Sequence, residues 1–101
     1  MLRIIKRKLY ETGGSLLIHK WDNGIHSEDF EYCKETLYKT KNGQYFVAGE
    51  GGVMSKYGSK NGLDGGSEMK LITEDEALTW LEEHRGEQVL IKDFGNFIEL
   101  G

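Results

Sequence analysis

The dipeptide Asn42-Gly43 constrains the fold more than any other feature of this 101-residue sequence. It lies between two strand-like segments, an apolar and aromatic run from Phe30 to Thr40 and a second run from Gln44 to Ala48. Asn and Gly tolerate the positive φ angles that a tight turn requires, so this pattern predicts an antiparallel β-hairpin. We place the other predicted elements around this hairpin.

The sequence leaves two registers of the hairpin open. If Asn42-Gly43 is a two-residue type I′ turn, Tyr38 faces Val47, and one face of the hairpin carries Phe30, Tyr32, Tyr38, Tyr45 and Val47. If Lys41-Asn42-Gly43 is a type I turn with a G1 bulge, Tyr38 faces Phe46 and the return strand presents its other face.

Composition indicates one domain, spanning residues 1–101, with 38% hydrophobic and 30% charged residues. We divide it into a β-meander (1–48), a glycine-rich loop (49–68) and a helical C-terminal part (69–101). The sequence contains no apolar run of about 20 residues and no signal-peptide core, so we expect a cytoplasmic protein without a membrane partner. Its single cysteine, Cys33, leaves no partner for an internal disulfide.

Three further segments have the character of strands. Leu2 to Tyr10 predicts an edge strand, because lysines and arginines interrupt its apolar alternation. Ser15 to Trp21 predicts a second strand, and Met69 to Ile72 predicts a short one that leads into a helix. With the hairpin, they predict an antiparallel sheet of four to five strands in meander order.

The clearest helix begins after Thr73. Thr73 and Glu76 have the spacing of a capping box, and Gly86 is the expected left-handed C-terminal cap. Apolar residues recur at spacings of three and four between these positions, so the helix should pack on one face of the sheet. The segment from Val89 to Phe94 fits a second short helix or a strand, and we favour the helix. The predicted fold class is therefore α+β.

Charge is distributed unevenly along the chain. The net charge is −4, yet residues 74–101 contain eight acidic residues against two basic ones. A general nucleic-acid-binding protein needs a basic stripe, which makes this class less favoured. An acidic surface instead suits a basic groove on another protein.

Glycine is concentrated in one segment, with seven glycines among the eighteen residues from Gly49 to Gly66. Long loops in compact domains are usually functional or mobile, so we expect a flexible segment that meets another molecule. The segment has neither the phosphate-loop order nor the dinucleotide-binding glycine pattern.

The three histidines, His19, His26 and His84, lack metal-ligand spacing. We therefore predict no cofactor, no metal, no catalytic residues and no enzymatic activity.

Several motifs together resemble a group of small proteins from Gram-positive bacteria, their phages and mobile elements. The likeness covers roughly residues 10–95 and rests on these segments: Trp21-Asp22-Asn23-Gly24, Glu35 to Lys41, Gly49-Glu50-Gly51-Gly52 with Ser55-Lys56-Tyr57, and Leu71 to Ala77 with Trp80. The resemblance implies a setting rather than a site. Accessory genes of this size often encode inhibitors of host defence, anti-CRISPR proteins among them, which act by stoichiometric binding.

Our leading hypothesis is an inhibitor that binds a host protein such as a CRISPR-Cas or other defence nuclease. Its contact surface would combine the glycine-rich loop with hairpin aromatics or the acidic helix: Glu50, Met54, Lys56, Tyr57, Tyr38, Tyr45, Glu82 and Glu83. One alternative is binding of single-stranded nucleic acid by Tyr38, Tyr45, Lys39 and Lys41. Another is a small-ligand-binding or enzymatic site formed by the loop, with an anion held by Lys56 and Lys60.

Overall fold

The computed structural model describes residues 1–59 and 64–101. These residues form six strands and two α-helices: β1 (Leu2–Ile5), β2 (Lys8–Glu11), β3 (Leu16–Asp22), β4 (Cys33–Lys39), β5 (Tyr45–Gly51), β6 (Gly66–Ile72), α1 (Glu74–Glu83) and α2 (Glu87–Asp93). Neither helix in this described part is long and apolar enough to cross a bilayer. The predicted α+β class is confirmed.

The main sheet is an antiparallel meander in the order β3-β4-β5-β6. The predicted single strand from Leu2 to Tyr10 is wrong, because β1 and β2 pair with each other as a separate hairpin. Lys6 and Arg7 connect them with φ angles of 50° and 67°, the left-handed conformation of a two-residue primed turn. The chain reverses at these two residues, and the resulting hairpin forms a layer of its own.

The central hairpin adopts the bulged register. Tyr38 pairs with Phe46, and the backbone N–H of Thr40 donates to the Gln44 carbonyl at 2.9 Å. Gly43 has a φ of 87°, as the left-handed position of a G1 bulge requires. The type I′ alternative is therefore wrong, and Tyr38 and Tyr45 lie on opposite faces of the sheet.

Strand β4 begins at Cys33, so the prediction that Phe30 and Tyr32 belong to it is wrong. Both residues lie in the preceding turns, where their carbonyls accept hydrogen bonds from Met54 and Gly52. The shared aromatic face predicted for the hairpin consequently does not form. Strands β5 and β6 also extend three residues into each end of the segment predicted as a loop.

The sheet has a different layer on each face. On one face, Leu37, Tyr45, Val47 and Ile72 pack against buried residues of the two helices: Ala77, Leu81, Leu90 and Phe94. On the opposite face, the β1–β2 hairpin covers a smaller cluster formed by Tyr10, Phe46 and Met69, with Ile5, Tyr38 and Leu71 at its margin. Helices, sheet and hairpin thus form three layers.

Both ends of α1 are fixed by local hydrogen bonds. The Glu76 N–H donates to the Thr73 hydroxyl at 3.1 Å, and the Thr73 N–H donates to the Glu76 carboxylate at 2.9 Å, which confirms the capping box. The backbone bond from Thr73 and the bond to its side chain lower the pKa of Glu76. The helix favoured after Val89 is also confirmed, as α2.

The predicted left-handed conformation of Gly86 is wrong. Arg85 has the positive φ, 59°, while Gly86 has a φ of −89°. The Gly86 N–H donates to the Leu81 carbonyl at 2.7 Å and closes the end of α1. Glycine is needed at position 86 for space, because a Cβ there would lie 2.6 Å from Leu81 Cδ2.

We expect Thr73→Ala to lower the free energy of unfolding by about 1 kcal/mol, because it removes the side-chain half of the capping box. Urea denaturation followed by circular dichroism measures this loss. The matched control is Thr79→Ala, the same substitution at an exposed interior position of α1, which should not destabilise the protein because alanine is the better helix former. Equal losses in the two variants would contradict a specific capping role.

Candidate functional site

The side chain of Glu35 is a carboxylate buried in the middle of the protein, with 2% of its surface exposed. Glu35 lies on β4, an interior strand, two residues before Leu37, so both side chains point to the face that the helices cover. An ionised carboxylate at such a position is costly unless hydrogen-bond donors and positive charge surround it. The elements packed on this face provide both.

Four side chains hold the Glu35 carboxylate. The Tyr57 hydroxyl donates to Oε2, and Lys56 Nζ lies 2.6 Å from the same oxygen. On Oε1, His84 Nε2 approaches to 2.7 Å and the Trp80 indole N–H donates at 3.2 Å. One oxygen is thus bound by the loop and the other by α1, so the carboxylate joins the loop and the helix to the sheet.

These contacts determine the protonation of two groups. Burial raises the pKa of Glu35, but the hydrogen bonds from Lys56 and Tyr57, the charge of Lys56 and the bond from Trp80 outweigh it, so the pKa lies below its ordinary value. Burial, the hydrogen bond to Glu35 and the negative charge of that carboxylate raise the pKa of Tyr57. The site therefore holds an ionised carboxylate and a protonated phenol.

His84 is oriented from several sides. Trp80 and His84 are four residues apart on α1, which places both side chains on one helix face, where their rings stack 4.3 Å apart. Trp21 of β3 contacts the imidazole edge-on at 4.8 Å. His84 Nδ1 lies 2.7 Å from the Trp80 carbonyl oxygen. The two ring nitrogens thus face two acceptor oxygens, Glu35 Oε1 and the Trp80 carbonyl, and these contacts fix the orientation of the ring.

Glycines in β5 make room for the loop over this site. Gly49 pairs with Glu35 across the sheet, and a Cβ built at Gly49 would overlap the Tyr57 hydroxyl. A Cβ at Gly51 would overlap the Ser55 side chain in the same way. The Tyr57 ring thus occupies the space that a side chain at position 49 would fill, which brings its hydroxyl to Glu35.

The described part of the loop, up to residue 59, is held by its own hydrogen bonds. Ser55 Oγ donates to the Gly52 carbonyl at 2.7 Å and accepts from the Tyr57 N–H at 3.1 Å. The Met54 N–H donates to the Phe30 carbonyl at 2.8 Å. This segment therefore packs on the sheet through its own hydrogen bonds and those to the turn before β4.

A pocket of about 510 Å³ opens beside the Glu35 cluster. Glu35, Lys56, Tyr57 and Trp80 form one side of it. The remainder is lined by β5, β6 and α1: Val47, Glu68, Lys70, Ile72, Asp75, Glu76, Thr79 and Glu83. Since Lys56 is paired with Glu35, four carboxylates remain against a single lysine, and the pocket is strongly anionic.

The residues predicted from sequence to form one contact surface are distributed over several parts of the protein. Three of them line the pocket: Lys56, Tyr57 and Glu83. Three others are exposed and do not line it: Glu50, Met54 and Glu82. Tyr45 is buried in the core beneath the helices, and Tyr38 stacks on Phe46 on the opposite face. Tyr38 and Tyr45 therefore cannot form one stacking surface for nucleic acid.

Sequence reasoning missed Glu35, Trp80 and His84 as members of one site. Their spacing places Trp80 and His84 on the apolar stripe predicted for the helix, and Glu35 lies within the first strand of the predicted hairpin, so the sequence pattern indicates no site that joins them. Lys60, predicted to share an anion with Lys56, lies outside the described residues, and Lys56 itself is paired with Glu35. Across residues 1–59 and 64–101, no group of three or more His, Cys, Asp or Glu side chains is placed to hold a metal ion.

Comparison with protein-family models, with curated proteins and with solved structures finds no match to this chain. The site must therefore be interpreted from its own chemistry. All four donors around Glu35 already contact its two oxygens, so the carboxylate is suited to fixing the loop and helix. The adjacent anionic pocket is suited to a positively charged group.

We expect Glu35→Gln to lower the free energy of unfolding by about 2 kcal/mol at pH 7, because it weakens hydrogen bonds to a charged acceptor. The pKa of Glu35 is lower in the folded protein than its ordinary value of 4.5. The ionised carboxylate therefore contributes fully above about pH 4.5, and this contribution is lost as the pH falls towards the folded pKa. Urea denaturation at pH 7 and at about pH 3 should show the difference between the two proteins shrinking in acid. The matched control is Glu50→Gln, at an exposed position on β5, which should change stability little.

We expect Gly49→Ala to destabilise the protein by about 1–3 kcal/mol, because the added methyl group displaces the Tyr57 ring. In a Tyr57→Ala background the same substitution should cost much less, since the ring is absent. A double-mutant cycle from urea denaturation measures this coupling. Additive effects of the two substitutions would contradict the close packing of Tyr57 on Gly49.

Proposed function

We propose that this protein is a non-enzymatic inhibitor that binds a basic surface of a host protein in the bacterial cytoplasm. The single observation that carries the proposal is the anionic pocket between α1, β6 and the loop. The partner class that fits it is a nucleic-acid-processing enzyme such as a CRISPR-Cas or other defence nuclease, because such enzymes hold nucleic acid in grooves lined by lysine and arginine.

The charge of the pocket favours a lysine or arginine side chain from the partner. Glu68 of β6 and Asp75, Glu76 and Glu83 of α1 surround the opening, and Lys70 is the one cation among the described lining residues that is not paired with Glu35. Carboxylates around a concave site bind guanidinium and ammonium groups through charge-assisted hydrogen bonds. They also speed the approach of a basic partner.

The adjoining loop contributes an apolar anchor. Met54 is 66% exposed, although its backbone is fixed: its own N–H donates to the Phe30 carbonyl, and the N–H of the next residue, Ser55, donates to the Gly52 carbonyl. A flexible thioether on a fixed backbone adapts to a partner surface at a small cost in ordering the loop. Tyr57, by contrast, supports the site indirectly, since its hydroxyl is used by Glu35.

Binding is better supported than catalysis at this site. A general base needs an oxygen that can take a proton from a substrate, and both oxygens of Glu35 are engaged by donors. The raised pKa of Tyr57 keeps its phenol protonated and hydrogen-bonded to Glu35. These features favour a rigid wall of a binding pocket.

We expect the double variant Asp75→Asn/Glu83→Gln to lose binding to the partner, because it removes two of the four carboxylates that line the pocket besides Glu35. The immobilised wild-type protein should retain a nucleic-acid-processing enzyme from a Gram-positive bacterial lysate and release it at high salt or with excess DNA. The purified enzyme should then be inhibited at a stoichiometric ratio. We expect the variant to weaken this inhibition by at least about tenfold.

The matched control is Glu87→Gln/Asp93→Asn, which makes the same change in net charge at exposed positions on α2 outside the pocket. This variant should inhibit like the wild type. Equal weakening by both double variants would show that net charge rather than the pocket is responsible, and would contradict the proposed site. Retention of no basic protein would contradict the proposed function.

A further inference from the structure

The β1–β2 hairpin presents an apolar face that nothing in the described chain covers. Its register places Leu2, Ile4 and Leu9 on one side, and they are 51%, 69% and 58% exposed. The other side carries Ile5 and Tyr10, which pack on the sheet around Phe46. The hairpin therefore has apolar residues on both faces, although only those of its inner face contribute to the core. Exposed aliphatic residues grouped in this way usually mark a contact surface.

Cations outnumber acidic residues in this hairpin. Arg3 and Lys8 lie on the strands, Lys6 and Arg7 form the turn, and all four are exposed. Arg3 pairs with Tyr10 and Lys8 with Ile5, so both belong to the inner side, whereas Glu11, the single acidic residue of the strands, pairs with Leu2 on the outer side. The positive φ angles of Lys6 and Arg7 reverse the chain at the end of the hairpin, so two cations are grouped at its tip beside Ile4 and Leu9.

We propose that this hairpin binds the surface of an anionic lipid bilayer. Aliphatic side chains enter the boundary between head groups and acyl chains, and lysine and arginine are attracted to the anionic head groups. Stable peripheral binding usually needs two such signals together, and the hairpin combines them. Interfacial binding requires no membrane-spanning segment. The sequence predicts no membrane partner because it lacks such a segment, and that argument does not apply to binding at the surface of a bilayer.

Other occupants fit this face less well. Single-stranded nucleic acid is held by aromatic rings that stack on bases, and the exposed residues of the outer face are aliphatic. A second copy of the chain, docked by the same face, would bring two hairpins of net positive charge together. A lipid surface satisfies the apolar and the basic groups at the same time.

The charge distribution across the fold favours one orientation on such a surface. The basic hairpin and the acidic helices lie on opposite faces of the sheet. Residues 74–93 of the helical layer contain seven acidic and two basic residues. An anionic bilayer therefore attracts the hairpin and repels the helices, which turns the pocket towards the aqueous side.

The test uses the full chain and sucrose-loaded vesicles, either of phosphatidylcholine alone or of an equimolar mixture with phosphatidylglycerol. We expect the protein to sediment with the anionic vesicles at low ionic strength and to remain in solution with the neutral ones. Ile4→Thr/Leu9→Thr and Lys6→Gln/Arg7→Gln should each weaken this partition by about tenfold or more. Threonine keeps the β-propensity of the strands, so the first variant should fold.

Two controls match these variants in chemistry but lie elsewhere. Ile91→Thr/Leu100→Thr replaces two exposed aliphatic residues of the C-terminal part, and Lys41→Gln/Lys92→Gln removes two exposed cations. Both should partition like the wild type. The proposal is overturned if the wild type does not sediment with anionic vesicles, which would leave an acidic protein as the better occupant. It is also overturned if the hairpin variants partition as well as the controls.

Discussion

The buried Glu35 carboxylate is the interaction on which the rest of this structure depends. A charge in the middle of a sheet is tolerated only with matched donors, and here the donors come from two elements that are distant in sequence. Lys56 and Tyr57 belong to the loop, while Trp80 and His84 belong to α1. The carboxylate thus specifies where both elements lie, and it also defines one side of the pocket. A well-packed apolar residue can match the contribution of a buried ion pair to stability, but it does not select this arrangement of loop and helix.

Local signals in the sequence predicted the local structure well. The capping box of Thr73 and Glu76 involves residues three apart, and it specifies the start of α1 without any tertiary information. The register of the central hairpin was undetermined because both turn types place Gly43 at a positive φ. Packing decides between them: the bulged register sends Tyr45 and Val47 to the helices and Phe46 to the N-terminal hairpin. The turn at Lys6-Arg7 was missed because neither residue is a usual turn former.

The candidate site was harder to predict, since its members come together only through tertiary structure. Glu35 and Leu37 are two residues apart on one strand, so they share a face. A carboxylate beside an apolar core position was the one signal in the sequence for a buried charge. In the sequence Gly49 is one of many glycines. Its structural role depends on Tyr57, eight residues later, whose ring occupies the space beside it. In the described structure, Gly49 allows a close approach of the loop to the sheet, which brings the Tyr57 hydroxyl to Glu35.

Charge separation across the three layers connects the two proposed surfaces. The hairpin is basic, the helices are acidic, and the sheet keeps them apart, so their charges do not cancel at any one surface. Glu35 contributes to this separation in an indirect way. Lys56 compensates its charge locally, so the negative potential of the pocket comes from Glu68, Asp75, Glu76 and Glu83 at its exposed walls. A basic partner therefore meets carboxylates that are accessible to solvent, while the buried Glu35 carboxylate holds the loop and α1 in position around the pocket.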